Sequence, residues 1–390
     1  MIRMDAKGEC CGCGACALVC PAGAIAMRAD AEGFVYPQVE EERCVCCGAC
    51  ERVCPMRGAQ GKSAALQSFE SAPPEAFYAA RLRDGAELAK SQSGGLFWAL
   101  AQEVLAEGGV VYGAAYDEDL NVRHVRAQDV QQAEKLRGSK YVQSQTGDTF
   151  AQARDDLRSG RRVLYAGTPC QIAALRNFLG ELAGNGRLLT CDLVCFGVFS
   201  PAVYRAMLQK MGKVRAFVHR DKRFGWRTKT QTYLLEGGKQ ISNGHLWSLY
   251  TQRLAVRPSC DACPFAGAKR PGDVTMGDLW GVEKIYPDLD DGRGVSLALA
   301  STPRGRAALE AAAPWLELRP CPRDKALQPC LRAAPGGSRR RGRFWRDFAR
   351  MPFARVLRRY TPAGGWVYRF KRALRRQARR FVKRFGRALR

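Results

Sequence analysis

The sequence predicts a small α+β domain, a larger α/β domain and then a basic, amphipathic helical tail. Three observations lead to this division. Ten of the 17 cysteines lie before residue 55, and apolar stretches of helical and strand type alternate from about residue 77. Residues 338–390 hold 20 lysines and arginines against one acid, out of a net charge of +26 for the whole chain. We expect four segments, namely residues 1–58, a linker at 59–76, then 77–334 and 335–390.

The composition is that of a globular protein in a reducing compartment. Hydrophobic residues make up 46% of the chain and charged residues 26%, which excludes a largely disordered protein. No uncharged apolar run reaches the ~18 residues that span a bilayer. Residues 1–9 lack the apolar core of a secretory signal. We therefore expect a cytoplasmic protein whose cysteines do not form a disulfide framework.

Two copies of the pattern C-x2-C-x2-C-x3-C-P occupy residues 10–21 and 44–55. This pattern is typical of two [4Fe–4S] clusters, in which the fourth cysteine of each copy binds the other cluster. We assign the first cluster to Cys10, Cys13, Cys16 and Cys54. We assign the second cluster to Cys44, Cys47, Cys50 and Cys20. Zinc is the alternative, but zinc sites need neither the third cysteine nor the closing proline. Cys11 and Cys46 are surplus to this pattern.

The segment that carries these motifs resembles a bacterial-type ferredoxin over about residues 1–58. Apolar stretches on either side of the acidic, glycine-containing residues 30–33 predict a hairpin between the two copies. The resemblance implies a ferredoxin-like α+β fold for this segment.

Helical and strand patterns alternate in the larger domain. We expect helices at residues 96–107, 130–136, 150–159 and 169–179. We expect strands at residues 109–116, 162–166 and 188–194, and less regular strands at residues 216–219, 230–235 and 274–277.

Four further cysteines stand where a ligand could bind. Cys170 opens a helix that Thr168 would cap, directly after a strand. Cys195 ends another strand, and Cys260 and Cys263 form a C-x2-C pair. Spacing alone leaves a third cluster and a purely structural role equally open.

Seven stretches together resemble the beta subunit family of coenzyme F420 hydrogenases and dehydrogenases, which are iron–sulfur flavoproteins. In chain order they are SQSGG from Ser91, GSKYV from Gly138, GTPCQIA from Gly167, DLVC from Asp192, RDK from Arg220 with Gly225 and Trp226, CDAC from Cys260 and GDLWG from Gly277. The resemblance implies bound FAD. It also implies a third [4Fe–4S] cluster on Cys170, Cys195, Cys260 and Cys263. The expected fold class is then an α+β ferredoxin-like N-terminal domain, an α/β flavoprotein domain and a basic amphipathic helical tail.

The FAD contacts have no fingerprint of their own, since the chain has neither a G-x-G-x-x-G motif nor a P-loop. Glycines before the helix predicted from residue 96 would let a pyrophosphate approach the helix N-terminus. The stretch from residue 219 to 226 is rich in cations and aromatic rings that suit phosphates and flavin rings. The residues alone favour a capped helix at the first site and leave a solvated turn open at the second. With the resemblance, the candidate contacts are Ser93, Gly94, Gly95, Ser139, Lys140, Arg220 and Lys222.

One position departs from the family pattern. Phe196 follows Cys195, where the family usually carries a histidine, so an imidazole beside the third cluster is missing. No catalytic residue is assigned from the sequence.

The tail carries an apolar stripe within a surface of arginine and lysine. Its apolar residues recur every three or four positions, as on one helix face: Trp366, Phe370, Leu374, Ala378, Phe381, Phe385 and Leu389. Such a helix lies on an anionic bilayer, so we favour contact with the inner face of the cell membrane. Docking on a protein surface is the next alternative, and nucleic acid is the least favoured.

Together these features predict an oxidoreductase that relays electrons between [4Fe–4S] clusters and FAD, to reduce or oxidise a deazaflavin or another organic substrate. Its expected partner is a redox protein or a deazaflavin electron carrier. The alternative is a non-catalytic electron-transfer subunit that delivers electrons to a partner enzyme. A scaffold with degenerate cofactor sites is disfavoured, since eight correctly spaced ligands would then have no purpose.

Overall fold

The structure is a computed structural model that describes residues 1–59 and 76–362. Its helices are α1 (Ala15–Leu18), α2 (Ala49–Arg52), α3 (Pro55–Ala59), α4 (Gly85–Lys90), α5 (Leu96–Ala106), α6 (Val130–Glu134), α7 (Thr149–Arg158), α8 (Pro169–Leu179), α9 (Pro201–Met211), α10 (His245–Thr251), α11 (Pro303–Ala311), α12 (Arg323–Ala326), α13 (Arg341–Arg350) and α14 (Phe353–Tyr360). Its strands are β1 (Ile25–Ala29), β2 (Val35–Val39), β3 (Ala76–Leu82), β4 (Val110–Tyr116), β5 (Val122–Ala127), β6 (Val163–Gly167), β7 (Leu188–Leu193), β8 (Val214–Val218), β9 (Gln231–Leu235), β10 (Gln240–Asn243), β11 (Val274–Asp278), β12 (Ser296–Ala300) and β13 (Leu316–Pro320).

The N-terminal segment folds around the antiparallel hairpin of β1 and β2. The Asp30 carboxylate accepts the backbone N–H groups of Glu32 and Phe34, which fixes the turn between the strands. Each cysteine motif leads into a short helix, α1 or α2, through a glycine with positive φ. These are Gly14 at +77° and Gly48 at +71°, in a left-handed conformation that glycine adopts without strain.

An eight-stranded mixed sheet forms the body, in the order β13-β3-β12-β11-β7-β6-β4-β5. The four strands β11, β7, β6 and β4 run parallel, and the remaining pairings are antiparallel. β6 is buried along its whole length, as expected for a strand covered on both faces. The carboxyl ends of the four parallel strands therefore meet at one edge of the sheet, where open α/β sheets bind ligands.

The small N-terminal segment shares a hydrophobic core with the body. Ile2 and Met56 belong to the same buried cluster as Phe150 of α7 and Ile172 of α8. The two parts are therefore packed together over an apolar interface, and their relative position is held by core contacts.

A three-stranded sheet of β10, β9 and β8 lies beside the body and packs with α9, α10, α13 and α14. The first part of the tail is thus docked on the protein through Phe344, Val356 and Tyr360, which are buried. On their outer faces, helices α13 and α14 expose arginines, among them Arg343 and Arg358.

Two predicted segments lie outside the described residues. They are the amphipathic stripe over residues 366–389 and nearly all of the linker at 59–76. Within residues 1–59 and 76–362, no helix is both long enough and apolar enough to cross a membrane.

Candidate cluster sites and the cofactor cleft

Fourteen cysteines line three cavities, namely the twelve predicted ligands together with Cys11 and Cys46. The first cavity, of about 430 Å³, is lined by Cys10, Cys13, Cys16 and Cys54. The second, of about 340 Å³, is lined by Cys20, Cys44, Cys47 and Cys50. The third, of about 640 Å³, is lined by Cys170, Cys195, Cys260 and Cys263. The structure thus brings together the same three sets of four that the sequence analysis assigned as ligands, including the exchanged fourth cysteine of each motif.

The chemistry of the cavities suits a multi-iron group. Backbone N–H groups point at Cys10 Sγ and Cys20 Sγ from 3.3 Å and at Cys195 Sγ from 3.4 Å, so they would stabilise thiolate charge. Burial and neighbouring thiols raise the pKa of Cys16 and of Cys260 to about 12, and such thiols ionise only beside strong positive charge. Among the described residues, no three His, Cys, Asp or Glu side chains converge on a point that would hold a single metal ion.

The third set is assembled from three separate chain segments. Cys170 lies in the first turn of α8, which Thr168 and Gln171 close with a capping box, and the Thr168 hydroxyl lies 3.2 Å from Cys170 Sγ. Cys195 follows the end of β7. The C-x2-C pair at residues 260–263 stands on a loop of its own, so its position depends on what holds that loop.

Arg270 holds the C-x2-C loop against the sheet. Its guanidinium contacts the Asp192 carboxylate at 2.9 Å, and both side chains are at most 1% exposed. The same guanidinium donates to the carbonyls of Leu193, Phe265 and Gly267 at 2.7 to 3.3 Å. One buried cation therefore fixes the end of β7 to the segment that follows Cys263.

We expect Arg270→Met to destabilise the protein by about 3–5 kcal/mol, because the Asp192 charge is left buried without its partner. The third cysteine set should lose its geometry as well, so iron per chain should fall. Urea unfolding and iron analysis under anaerobic conditions measure both effects. Arg293→Met is the control, since Arg293 forms its ion pair at the surface with 56% of its side chain exposed. A full iron content with unchanged stability in Arg270→Met would show that the loop does not depend on this cation.

The loop of the first cysteine motif is docked on the body through its backbone carbonyls. Arg257, which is fully buried, donates to Cys10 O at 2.7 Å, and Gln143 Nε2 donates to Cys11 O at 2.9 Å. Thr146 Oγ1 donates to Cys13 O at 2.7 Å. The body therefore satisfies three polar groups of the loop, which fixes the first cavity relative to the third.

Arg257 also contacts the N-terminal hairpin. Its guanidinium donates to Val35 O at 2.9 Å and to Gln143 Oε1 at 2.8 Å, and it lies 4.4 Å from the ring centre of Tyr36. Sequence analysis missed Arg257, since nothing local distinguishes it among 63 lysines and arginines.

A cleft of about 1360 Å³ opens at the carboxyl ends of the parallel strands. Gly113 of β4, Gly167 of β6, Leu193 of β7 and Gly277 of β11 all line it. Residues 195–198 line both this cleft and the third cysteine cavity. The third cysteine set therefore borders a cleft at the position where open α/β sheets bind ligands.

The candidate FAD contacts do not all lie in this cleft. Those that line it are Ser93, Gly95, Ser139, Lys140 and Arg220. Gly94 instead packs against strand backbone, and a Cβ there would lie 2.1 Å from Ala80 O. Lys222 donates to the carbonyls of Leu88, Ser91 and Ser93 at 2.7 to 3.0 Å, so it braces the loop before α5.

Lys140 and Arg220 are the cations at the cleft wall that the sequence analysis had singled out. Lys140 Nζ donates to Lys135 O and Arg137 O, and burial lowers the pKa of Lys140 to about 7. Arg220 forms an ion pair with Asp278 at 2.5 Å and is almost fully buried. Neither residue is a freely solvated surface cation.

Two further residues of the cleft carried no signal in the sequence. Arg137 lines the cleft, stacks 4.1 Å from the ring centre of Trp98 and pairs with Glu87 at 2.6 Å. His124 lies between Ser144 Oγ at 2.6 Å and Ala166 O at 3.0 Å. Burial lowers the pKa of His124 to about 4, so its imidazole is neutral near pH 7.

Comparison with known proteins gives two family matches. Residues 160–323 match the family described as the C terminus of the coenzyme F420 hydrogenase/dehydrogenase beta subunit. Residues 9–57 match the 4Fe-4S dicluster domain. No curated protein matches the chain. Among solved structures, the chain is similar to one from the xenon-derivatised F420-reducing [NiFe] hydrogenase complex of Methanosarcina barkeri. That similarity has 20% identity and a TM-score of 0.47, and it covers 64% of this chain and 83% of the other.

Proposed function

We propose, from the match of residues 160–323 to the C terminus of the coenzyme F420 hydrogenase/dehydrogenase beta subunit and of residues 9–57 to the 4Fe-4S dicluster domain, that the chain is a member of that beta subunit family with a specific activity. The protein is an oxidoreductase that passes electrons between three [4Fe–4S] clusters and FAD, and through FAD to an organic substrate such as a deazaflavin. A redox protein exchanges electrons with the N-terminal clusters.

The observation that carries this proposal is the arrangement of the cavities. Cys11 and Met56 line both the first and the third cysteine cavities. Residues 195–198 line both the third cavity and the cleft. At the other end, Cys47 of the second set is exposed. The first cavity thus adjoins the third, and the third adjoins the cleft, which is a continuity that supports stepwise electron transfer.

The three sets of cysteines would hold the clusters, and the cleft would hold FAD. When bound, the clusters exchange single electrons and FAD pairs two of them for a hydride-equivalent transfer. Gly95 and the N-terminus of α5 face the cleft and would bind the pyrophosphate together with Lys140. Arg220 and Arg137 stay protonated at every physiological pH, and each is paired with a carboxylate, Asp278 and Glu87 respectively.

Proton supply in the cleft falls to this chain's own residues, because Phe196 takes the place of the family histidine. Lys140 lines the cleft, and its pKa of about 7 lets it take up and release a proton near neutrality. His124 stays neutral at that pH, so it orients rather than exchanges protons. We therefore assign the protonated amine of Lys140 as the group that binds the pyrophosphate of FAD.

This assignment predicts a pH dependence of flavin binding. The amine of Lys140 gains its proton as the pH falls through about 7, so FAD should bind about tenfold more tightly at pH 6 than at pH 8.5. His124 and His219 do not titrate in this window, since burial lowers their pKa values to about 4 and about 3. Lys222 does titrate in it, since burial lowers its pKa to about 8, but its side chain braces the loop before α5 and does not line the cleft. Quenching of FAD fluorescence by the cluster-loaded protein measures the affinity.

Lys140→Met should lose most of the change in FAD affinity between these pH values. Lys135→Met is the control, because that side chain is exposed on the neighbouring turn and does not line the cleft. If the FAD affinity of Lys140→Met keeps its full pH dependence, Lys140 does not bind the FAD. Absence of FAD binding to the native protein would contradict the proposed flavin enzyme and leave the electron-transfer subunit.

A further inference from the structure

Helices α13 and α14 carry a strongly cationic outer surface. Residues 338–362 contain nine arginines and one acid, Asp347. The Asp347 carboxylate is engaged within the two helices, since it pairs with Arg359 at 3.0 Å and accepts a hydrogen bond from the Tyr360 hydroxyl at 2.6 Å. Six exposed arginines here form neither an ion pair nor a side-chain hydrogen bond with another described residue, and we call them the arginine surface. They are Arg339, Arg343, Arg346, Arg350, Arg355 and Arg358.

The arginine surface is held in place by the apolar side of the same helices. Arg343, Arg346 and Arg350 are three and four residues apart, so they form one stripe along α13. The opposite side of α13 is buried against the body through Phe344. The Phe344 ring lies edge-to-face with Tyr360 of α14, with 5.2 Å between the ring centres. The two helices therefore form one unit, and the charge belongs to a fixed surface of the folded body.

The charge of this surface calls for a partner that is negative over a broad area. Within the described part of the chain, no carboxylate neutralises these six cations, so an anionic surface nearby would be attracted strongly. Clusters of about four to eight lysines and arginines on an amphipathic helix are typical of proteins that bind anionic lipids.

The apolar residues beside the arginines favour lipid over nucleic acid. Trp345, Phe348 and Phe353 are partly exposed, and their rings contact one another at 5.3 and 5.8 Å between centres. Aromatic rings beside cations suit the headgroup region of a bilayer. Residues 363–390 follow with 11 lysines and arginines, no acid and an apolar residue at every third or fourth position. The sequence thus continues the same cationic and aromatic character beyond α14.

We propose that the arginine surface docks the protein on a bilayer of anionic phospholipid. The inference goes beyond the proposed function and does not depend on it, since these arginines line neither the cysteine cavities nor the cleft. The attraction is electrostatic, because the apolar sides of α13 and α14 are already buried against the body. Binding should therefore require anionic lipid. It should weaken as the salt concentration rises from about 0.1 M to about 1 M, because the Debye length falls from about 10 Å to about 3 Å.

The test uses the full-length, cluster-loaded protein and vesicles of phosphatidylcholine with or without phosphatidylglycerol. Co-sedimentation measures the affinity. The native protein should bind only the vesicles that contain phosphatidylglycerol. A triple variant with Arg343→Gln, Arg346→Gln and Arg350→Gln should bind them about 100-fold more weakly. Its iron content per chain should equal that of the native protein, since the three side chains are exposed.

The matched control removes the same charge elsewhere. Arg158, Arg187 and Arg323 are exposed and lie on or beside other elements, α7, β7 and α12. The triple variant with glutamine at these positions should bind the vesicles like the native protein.

Four results would overturn the inference. Unchanged vesicle binding in the α13 variant would show that this surface does not dock, and an equal loss in the control variant would show that net charge alone decides binding. Equal binding of the native protein to vesicles without phosphatidylglycerol would exclude an electrostatic attraction. Loss of binding to a random-sequence DNA duplex in the α13 variant, with vesicle binding retained, would make nucleic acid the partner of this surface.

Discussion

Cys195→Ala should lower the iron content from about twelve to about eight per chain and should stop the reduction of bound flavin through the N-terminal clusters. Cys195 lines both the third cysteine cavity and the cleft, whereas Cys170, Cys260 and Cys263 line the cavity alone. Cys195→Ala therefore removes the cluster ligand that lies next to the cleft. Iron analysis measures the first effect. Anaerobic absorption spectra during reduction by a reduced redox protein measure the second, since dithionite would also reduce the flavin directly. The signals of the two N-terminal clusters should be retained.

A matched control exists on the strand that precedes Cys195. Cys191 is fully buried in β7 four residues earlier, and it lines neither the third cavity nor the cleft. Cys191→Ala removes the same type of side chain from the core, so it should cost some stability and leave iron and flavin reduction intact. If Cys195→Ala behaves like Cys191→Ala, Cys195 is a packing residue and the proposed electron route ends before the cleft.

Gly12→Ala should undock the first cysteine loop. Gly12 has a φ of +70°, and a Cβ there would lie 2.6 Å from Arg257 Nη1 and from Gln143 Nε2. The left-handed backbone and the displaced side chains together should cost about 2–5 kcal/mol. We expect a lower melting temperature of the cluster-loaded protein and faster amide hydrogen exchange at residues 10–14.

The second motif supplies the control for this substitution. Its equivalent position is Cys46, which already has a φ of +52° with a side chain and is exposed. Positive φ alone is therefore tolerated in this loop, and Cys46→Ala should change stability by less than about 0.5 kcal/mol. An effect of Gly12→Ala as small as that of Cys46→Ala would mean that a side chain at residue 12 displaces neither Arg257 nor Gln143 and that the loop stays docked.

The sequence predicts those helices and strands whose first and last residues are marked by local signals. The helix predicted at residues 169–179 is α8 with the same limits, because Thr168, Gln171 and Pro169 mark its start in the sequence itself. The hairpin in the N-terminal segment and the strands β4, β6, β7 and β11 are confirmed in the same way, each by an apolar run beside a turn.

The elements that the sequence analysis missed depend on distant partners. β3 pairs with β12 and with β13, more than 200 residues further along the chain, and no local pattern indicates such a pairing. Helix α9 was missed although Ser200 caps it through the N–H of Val203. That cap was a usable signal.

The candidate sites show the same difference between local sequence signals and contacts of distant segments. The first two cysteine sets follow from a repeated local pattern, whereas the third gathers residues from three separate segments. The body holds the N-terminal segment by hydrogen bonds from Arg257, Gln143 and Thr146 to backbone carbonyls. Every residue has such a carbonyl, so the sequence of neither part indicates these bonds. The role of Lys222 as a brace likewise depends on loop geometry that residue type does not reveal.

We propose that one chain holds three clusters and a flavin. The most direct measurement is the amount of iron, acid-labile sulfide and flavin per chain in protein purified without oxygen. We expect about twelve irons, about twelve sulfides and one FAD. About eight irons without flavin would contradict it, because the third cysteine set and the cleft would then carry no cofactor and the N-terminal segment alone would be redox active.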